Sequence, residues 1–287
     1  MSAAHWFVTG ISRGFGNALC EELLARDHRV VGTTRSVSSE MTHKNLTVMP
    51  LDVTDEHQTE RVFKQAIAKL DRIDLVVNNA GLGMVRAIEE VSTEEAQATL
   101  DTNFFGTFNV IRAVVPHFRA NRSGHIINFS SVGGITGSAG YGVYNAAKFA
   151  VEGLSEALDL ELRPFGIKVT IVEPGYFRTE FLSSGSIKKA AKLVDAYADT
   201  VGKASNNVSS GGGNQPEIDV ALSIVAELPV EVLRGQHYGK LGRAGIGVAH
   251  NVFDGDSELI ERDGGARSFG QVDHGLLALT DVHLLVG

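Results

Sequence analysis

The sequence predicts an α/β fold in which helices cover both faces of a doubly wound parallel sheet, a three-layer α/β/α arrangement. Short apolar segments alternate with longer segments of helical periodicity over residues 5–172, and this alternation is typical of parallel strands joined by helices. A glycine-rich turn follows the first apolar segment. Hydrophobic residues make up 43% of the 287 residues and charged residues 21%, which is the composition of an ordinary globular domain.

Each element is predicted from its own pattern. A strand is expected where a short apolar segment ends in glycine or polar residues, and a helix where apolar residues recur every three or four positions. The expected strands are His5–Thr9, Arg29–Thr33, Leu46–Leu51, Ile73–Val77, His125–Phe129 and Ile167–Val172. The expected helices are Gly14–Arg26, Glu56–Leu70, Thr93–Asn121, which can be in two pieces, and Tyr144–Arg163.

Charge and composition exclude several classes of protein. The chain has 26 Lys and Arg against 34 Asp and Glu, a formal net charge of −8, so it lacks the basic surplus of a protein that binds nucleic acid or a membrane surface. Cys20 is the single cysteine, which excludes an internal disulfide and fits a reducing compartment. No apolar run approaches a membrane span and the N-terminus does not resemble a secretory signal. We expect a cytoplasmic protein.

The glycine-rich turn is the first motif that carries chemistry. It reads Thr9-Gly10-Ile11-Ser12-Arg13-Gly14-Phe15-Gly16 and lies between the first predicted strand and the first helix. Gly10 permits a tight turn, and Gly14 and Gly16 allow the backbone to approach a pyrophosphate and the helix to pack on the sheet. The start of a helix also offers free N–H groups to an anion. The turn therefore predicts a dinucleotide site of the Rossmann type.

The same residues also match a motif of a different enzyme class. Gly10-Ile11-Ser12-Arg13-Gly14 fits G-x-S-x-G, the turn that carries the nucleophile of α/β hydrolases, with Ser12 as the nucleophile. That turn normally follows several strands, whereas nine residues precede it in this sequence. The hydrolase interpretation also leaves Gly16 without a function. We therefore favour the dinucleotide site.

The end of the second predicted strand indicates which dinucleotide is preferred. An acidic residue is expected there if the adenosine ribose carries free hydroxyls, but the sequence reads Thr33-Thr34-Arg35. Arg35 and Arg13 can both make charge-assisted, bidentate hydrogen bonds to a phosphate. The sequence therefore predicts NADP(H) in preference to NAD(H).

Tyr144 and Lys148 form the candidate acid/base pair. They lie four residues apart in a predicted helix and so share one face. A free tyrosine has a pKa of about 10, and a unit charge 4 Å away contributes about 4 kcal/mol at an effective dielectric constant of 20 but about 1 kcal/mol in water. Lys148 can therefore activate Tyr144 only if the pair is partly desolvated. Ser131, just after the fifth predicted strand, can hydrogen-bond the oxygen of a substrate.

Further motifs occur in order along the chain, and together they identify a family. They are Thr9–Gly16 (TGxxxGxG), Leu51–Thr54 (LDVT), Asn78–Gly81 (NNAG), Asn103, Ser131, Tyr144–Lys148 (YxxxK) and Pro174–Thr179 (PGxxxT). In these motifs and their spacing the chain resembles the short-chain dehydrogenase/reductase family over roughly residues 5–180. Any one of the motifs alone would be a weak signal.

The resemblance implies a role for each matching residue. Tyr144 would be the general acid/base, Lys148 would activate it and bind the nicotinamide ribose, and Ser131 would orient the reacting oxygen. Asn103 would hold a water in a proton relay through Lys148. The residues expected to bind the cofactor are Gly10, Ser12, Arg13, Gly14, Phe15, Gly16, Arg35, Asp52, Val53, Asn79, Ala80, Gly81, Tyr144, Lys148, Pro174, Gly175, Phe177 and Thr179.

The expected function is an NADP(H)-dependent oxidoreductase that interconverts a ketone or aldehyde and an alcohol by hydride transfer, without a metal. The resemblance also implies a homodimer or homotetramer formed through the helices that contain Phe104–Arg119 and Tyr144–Arg163. The alternative is a non-catalytic dinucleotide sensor or scaffold on the same fold. A sensor needs no acid/base, so the intact set of Ser131, Tyr144 and Lys148 argues against it.

The C-terminal third is less informative. We assign residues 1–215 to a dinucleotide-binding catalytic domain, in which the polar segment 176–215 either covers the substrate or is a surface linker. Residues 216–287 match the family poorly. They suggest only a helix at Pro216–Leu228 and a short seventh strand at Val230–Leu233. This region is interpreted as a divergent tail, a partly disordered extension or an out-of-frame translation.

Overall fold

The computed structural model describes residues 3–35, 41–175 and 194–204, together with the backbone of residues 246–250. Its centre is a seven-stranded sheet with the strand order β3-β2-β1-β4-β5-β6-β7. The first six strands pair in parallel, and β7 pairs with β6 in antiparallel orientation. The strands are β1 His5–Thr9, β2 Arg29–Thr34, β3 Leu46–Pro50, β4 Leu75–Asn78, β5 Gly124–Phe129, β6 Ile167–Pro174 and β7 Ile246–His250.

The α-helices of the described residues connect the parallel strands. They are α1 Gly14–Ala25, α2 Glu56–Leu70, α3 Thr93–Leu100, α4 Gly106–Asn121 and α5 Gly142–Leu162. Side chains cap two of them, since Asp55 accepts from the Gln58 N–H and Ser92 accepts from the Glu95 N–H. The segment between α3 and α4, Asp101–Phe105, is a π-helical turn. The predicted helix Thr93–Asn121 is thus in two pieces joined by this turn.

Apolar side chains are buried on both faces of the sheet. On one face Trp6, Val8 and Val77 pack against Leu19 and Leu23 of α1. On the other face a second cluster joins α2, α4 and α5 to the sheet; it includes Phe7, Val31, Val62, Phe63, Val110, Phe118, Ile126 and Leu158. Successive residues of a strand point to opposite faces, so strands that are apolar throughout can be covered on both sides. The predicted fold is confirmed.

The edge of the sheet differs from the expectation. The seventh strand was expected at Val230–Leu233, but the described seventh strand is Ile246–His250, and its antiparallel register with β6 pairs Thr170 with His250. The sequence of β7 is short and contains a glycine, so its period-two pattern is weak. Residues 230–233 and the expected helix Pro216–Leu228 lie outside the described residues.

The strand order creates a topological switch point between β1 and β4. From β1 the chain proceeds to β2 and β3 on one side, and to β4, β5 and β6 on the other. In parallel α/β sheets, ligands bind in the crevice outside the carboxyl ends of the strands at such a point. The glycine turn follows β1, and the segments that contain Asn79, Ser131 and Gly175 follow β4, β5 and β6. These four segments therefore meet at the carboxyl ends of the parallel strands.

Candidate active site

A cavity of about 470 Å³ lies at the carboxyl ends of the parallel strands. Phe177 and Thr179, which were expected to bind cofactor, lie outside the described residues. Gly16 and Asn103 are not among the residues that line the cavity. The expected site residues that line it are Gly10, Ser12, Arg13, Gly14, Phe15, Arg35, Asp52, Val53, Asn79, Ala80, Gly81, Ser131, Tyr144, Lys148, Pro174 and Gly175.

The glycine turn between β1 and α1 permits close approach of the backbone. Gly10 (φ +73°) and Gly14 (φ +57°) are in the left-handed region, which glycine adopts without a steric penalty. A Cβ at Gly16 would lie 2.3 Å from the carbonyl oxygen of Gly10. Any side chain there would push α1 away from the turn. The N–H groups of the first turn of α1 have no acceptor within the helix, so they are available to an anion in the cavity.

Asn79, from the polar run after β4, holds the glycine turn in place. Its Nδ2 donates to the carbonyl oxygens of Thr9 (2.9 Å) and Gly10 (3.0 Å). The Thr9 hydroxyl oxygen accepts from the main-chain N–H groups of Asn79 and Ala80, each at 3.0 Å. These four bonds fix the end of β4 against the end of β1, so the two walls of the cavity keep one separation.

Two arginines give part of the cavity a positive charge. Arg13 lies in the glycine turn and Arg35 directly after β2; both line the cavity, and both side chains are exposed. Among the described residues, neither forms an ion pair with a carboxylate. Their guanidinium donors are thus available to a ligand.

Asp52 and Val53 follow β3 and continue the wall. Asp52 Oδ1 accepts from the main-chain N–H (3.0 Å) and the hydroxyl (2.8 Å) of Thr54, so this carboxylate stabilises a turn. The carbonyl oxygen of Val53 accepts from Asn109 Nδ2 at 2.9 Å, and that bond is buried. Helix α4, which contains Asn109, therefore anchors the loop after β3.

Ser131 and Tyr144 are brought together across Gly133. A Cβ at Gly133 would lie 3.3 Å from Tyr144 Cε1 and 3.5 Å from Ser131 Oγ, so both side chains flank the same small residue. Ser131 Oγ accepts from the Gly133 N–H at 3.1 Å, which orients the hydroxyl oxygen. The hydrogen of that hydroxyl can then be donated to a ligand.

Lys148 lies one turn after Tyr144 on α5 and is almost completely buried. Its Nζ is 5.8 Å from the centroid of the Tyr144 ring and donates to the carbonyl oxygen of Phe129 at 2.6 Å. Burial lowers the pKa of Lys148 to about 8, and the charge of Glu152 partly opposes that decrease. Because this value is above 7, the lysine is still mostly a cation at neutral pH.

Two carboxyl groups with raised pKa values influence each other, those of the half-buried Glu152 and the buried Glu173. Glu152 follows Lys148 by one turn of α5. Its carboxylate and the Ser130 hydroxyl both lie close to Gly134, because a Cβ at Gly134 would be 2.9 Å from Glu152 Oε1 and 2.5 Å from Ser130 Oγ. Glu173 lies in β6 and is 3% exposed. Burial raises the pKa of Glu152 to about 7 and that of Glu173 to about 8, and in Glu173 the neighbouring charge of Glu152 adds to the increase. Glu173 is therefore mostly neutral at pH 7.

Asn103 lies in the π-helical turn and anchors a loop. Its side chain is 1% exposed; Oδ1 accepts from the Leu82 N–H at 2.8 Å, and Nδ2 donates to the Leu82 carbonyl oxygen at 2.9 Å. Both ends of the amide are thus engaged with the loop after β4. Its expected role in holding a water stays a prediction, to which the structure adds this structural role.

Asn145 is a site residue that the sequence analysis did not identify. Its Nδ2 donates to the carbonyl oxygens of Gly133 (2.7 Å) and Thr136 (3.2 Å), and its Oδ1 accepts from the Ser138 N–H at 3.1 Å. The amide therefore fastens the loop after Ser131 to the helix that carries Tyr144. One signal in the sequence could have found it. Asparagine is unfavourable inside a helix unless its side chain has another partner, so an asparagine next to Tyr144 indicates such a partner. Other lining residues not identified are Thr33, Thr34, Leu51, Thr54, Leu82, Ala98, Asp101, Thr102, Phe129, Ser130, Val132, Gly133, Ser138 and Tyr141.

Two further properties follow from the described part of the chain. None of its helices combines the length and the hydropathy needed to cross a membrane. In the same residues no group of three or more His, Cys, Asp or Glu side chains is arranged to hold a metal ion.

Known proteins resemble this chain in sequence and in fold. The sequence model of the short chain dehydrogenase family matches residues 4–189. The chain is 42% identical over 193 residues to a 3-ketodihydrosphingosine reductase of Bacteroides thetaiotaomicron, covering 67% of this chain and 71% of that protein. A solved short-chain dehydrogenase from Streptomyces avermitilis matches with a TM-score of 0.72 at 36% identity, over 78% of this chain and 82% of that one. ElxO with NADP bound matches with a TM-score of 0.64 at 26% identity, over 78% and 90%.

Proposed function

Since this chain belongs to the short-chain dehydrogenase family and is therefore an oxidoreductase, we propose that it interconverts a ketone or aldehyde and its alcohol with NADP(H). The observation that carries the proposal is a single cavity lined by the glycine turn, Ser131, Tyr144 and Lys148. One part of that cavity suits a dinucleotide, and another presents a phenol, a hydroxyl and a buried cation to a reacting oxygen.

The residues around the glycine turn fit a dinucleotide. The left-handed Gly10 and Gly14 leave room for a pyrophosphate, and the positive end of the α1 dipole favours its charge. When bound, the nicotinamide supplies hydride transfer. The protein supplies binding, orientation and the proton.

Tyr144 is the group that we propose to transfer the proton. In the direction of reduction it gives its phenolic proton to the substrate oxygen, and in the direction of oxidation it takes the proton from the alcohol. Ser131, whose oxygen already accepts from the Gly133 N–H, donates its own hydrogen to the same substrate oxygen. Lys148 remains charged beneath the ring and stabilises the phenolate.

The contribution of Lys148 can be worked from its position. If the phenolate charge is taken at the ring centroid, which lies 5.8 Å from the Nζ, the lysine stabilises it by about 3 kcal/mol at an effective dielectric constant of 20. That free energy corresponds to a factor of roughly 100 in the proton-transfer equilibrium. Burial of the lysine is required for this effect, because in water the same charge would contribute less than about 1 kcal/mol.

A preference for NADP(H) over NAD(H) is proposed from the two arginines. Arg13 and Arg35 are exposed in the cavity, and both have donors available for a 2′-phosphate. ElxO, to which this chain is similar, is known with NADP bound. We expect the Michaelis constant for NADPH to be lower than that for NADH by at least about tenfold, since charge-assisted bonds contribute roughly 1.5–3 kcal/mol each.

The proposed substrate is a largely apolar molecule that bears a ketone or an aldehyde. Val132, Leu82 and Tyr141 contribute apolar surface to the cavity. A relative at 42% identity is named 3-ketodihydrosphingosine reductase. A long-chain 3-keto base is therefore the first compound to test among the carbonyl substrates.

We further propose that the protein forms a homodimer or homotetramer through α4 and α5. Phe149 (46% exposed) and Leu160 (58%) lie on one face of α5, and Phe105 (48%) precedes α4. Gly153 lies on the same face as Phe149, and a Cβ there would have no atom within 4 Å, so another helix can approach. Sedimentation velocity tests this: Phe149→Glu should shift the protein towards monomer, and an unchanged distribution would contradict the interface.

The two alternative functions are disfavoured. A hydrolase with Ser12 as nucleophile does not agree with membership of an oxidoreductase family. A non-catalytic sensor would not need a charged, buried lysine next to a tyrosine that lines the cavity. A sensor would bind NADPH without turning over any carbonyl compound.

The proposed function is tested by following NADPH oxidation at 340 nm with a panel of aldehydes, ketones and the long-chain 3-keto base. We expect turnover that depends on the carbonyl compound and is much slower with NADH. Tight NADPH binding without turnover of any member would favour the sensor. Ester cleavage without a cofactor would favour the hydrolase.

A further inference from the structure

The segment 194–204 is held against the core by the turn Ile88–Glu90, and the principal contact is Glu90. Glu90 is buried, and its two carboxylate oxygens accept from different main-chain groups. Oε2 accepts from the Ala87 N–H at 3.1 Å, and Oε1 accepts from the Val194 N–H at 2.7 Å. The second bond joins residues 104 positions apart, so it docks the segment rather than shaping the turn itself.

The docked segment also touches the loop that leads into α5. A Cβ at Gly140 would lie 3.2 Å from Val201 Cγ1 and 3.8 Å from Ala204 Cβ. Gly140 has φ +86° and its carbonyl oxygen accepts from the Arg86 N–H at 2.6 Å. The next residue, Tyr141, lines the cavity.

From these contacts we infer that Glu90 is a positioning residue: by docking the segment 194–204 against Gly140, it sets the geometry of the cavity wall at Tyr141 and with it the affinity for the carbonyl substrate. The inference rests on the proposed function for the identity of the substrate. Glu90 does not line the cavity and acts through the segment. Binding of the dinucleotide, which depends on the glycine turn, should not depend on it.

A substitution of Glu90 by glutamine removes one of its two acceptor oxygens and nearly preserves its shape. A carboxylate has two acceptor oxygens, whereas glutamine has one and replaces the other with a donor. Glu90→Gln can therefore accept from Ala87 or from Val194 but not from both. Glu89, on the same turn, is exposed and accepts one bond, from the Tyr197 hydroxyl at 2.6 Å. Glu89→Gln keeps the one acceptor that is needed and is the matched control for loss of charge.

Three measurements test the inference. Hydrogen–deuterium exchange of peptides covering 194–204 should be at least about tenfold faster in Glu90→Gln than in the wild type. The KM for the carbonyl substrate should rise by about threefold to tenfold, while the Kd for NADPH should stay within twofold. Glu89→Gln should resemble the wild type in all three measurements.

A second variant acts from the other side of the contact. Val201→Ser weakens packing against Gly140 without changing Glu90, and it should raise the KM in the same way. Unchanged exchange in Glu90→Gln, or faster exchange with an unchanged KM, would overturn the inference. A wild type that turns over no carbonyl compound would refute the proposed function instead, and exchange would still decide whether Glu90 docks the segment.

Discussion

The buried carboxyl group of Glu173 should make the stability of the protein depend on pH. Glu173 is 3% exposed in β6, and burial raises its pKa from 4.5 to about 8. The folded protein therefore binds a proton that the unfolded chain releases between these pH values. Because the folded state holds more protons in this window, the free energy of unfolding falls as the pH rises from 5 to 8.

The size of this effect follows from the same values. One pKa unit corresponds to about 1.4 kcal/mol. Integration between pH 5 and pH 8 with a folded pKa of about 8 gives a loss of roughly 3.5 kcal/mol from this one group. Glu173→Gln removes the titration while keeping the shape of the side chain. Relative to the wild type, the variant should gain stability progressively from pH 5 to pH 8.

Urea denaturation at pH 5, 6.5 and 8 measures the difference directly. Even a third of the calculated value, about 1 kcal/mol, is resolved by a shift of the denaturation midpoint. Glu21→Gln, on the exposed surface of α1, is the control for removing a carboxylate elsewhere. If the free energy of unfolding of Glu173→Gln fell with pH as steeply as that of the wild type, the argument that Glu173 is buried and protonated would be refuted.

Two other variants test separate parts of the site by steady-state kinetics. Arg35→Asp should shift the preference from NADPH towards NADH by roughly 10- to 100-fold, because it replaces charge-assisted bonds with repulsion of the 2′-phosphate. If the ratio of kcat/KM for NADPH to kcat/KM for NADH did not change, Arg35 would be excluded from the phosphate site. Asn145→Ala should lower kcat by about tenfold or more while the Kd for NADPH stays within twofold of the wild-type value. The reason is that two carbonyl oxygens and one N–H group lose their hydrogen-bond partner. An unchanged kcat would show that this amide does not position Ser131 and Tyr144.

Local patterns were sufficient to predict most of the fold. The strands and helices of residues 5–172 have strong apolar periodicity, and the strand–turn–helix at Gly10–Gly16 places the glycines where the structure has left-handed backbone and close contacts. The edge strand β7 was missed because a short strand that contains glycine resembles a loop. Its pairing depends on the exposed edge of β6, which a sequence does not display.

Contacts between distant residues limited the prediction of the site. Asn79, Ser131 and Lys148 belong to motifs with fixed spacing, so a family resemblance is sufficient to find them. Glu90 is different, because it docks a residue 104 positions away, and nothing in its local sequence distinguishes it from the acidic residues around it. Burial of Glu173 was equally hidden, since the strand was expected to end before it at Val172 and the structure continues β6 through Pro174.

The most direct test of the account is the turnover of Tyr144→Phe measured together with its NADPH affinity. The variant loses the phenolic proton but keeps the ring. We expect kcat for the carbonyl substrate to fall by at least about two to three orders of magnitude, as general acid–base catalysis typically contributes, while the Kd for NADPH changes by less than about threefold. Retention of wild-type turnover with NADPH bound would contradict the account, because another group would then have to supply the proton.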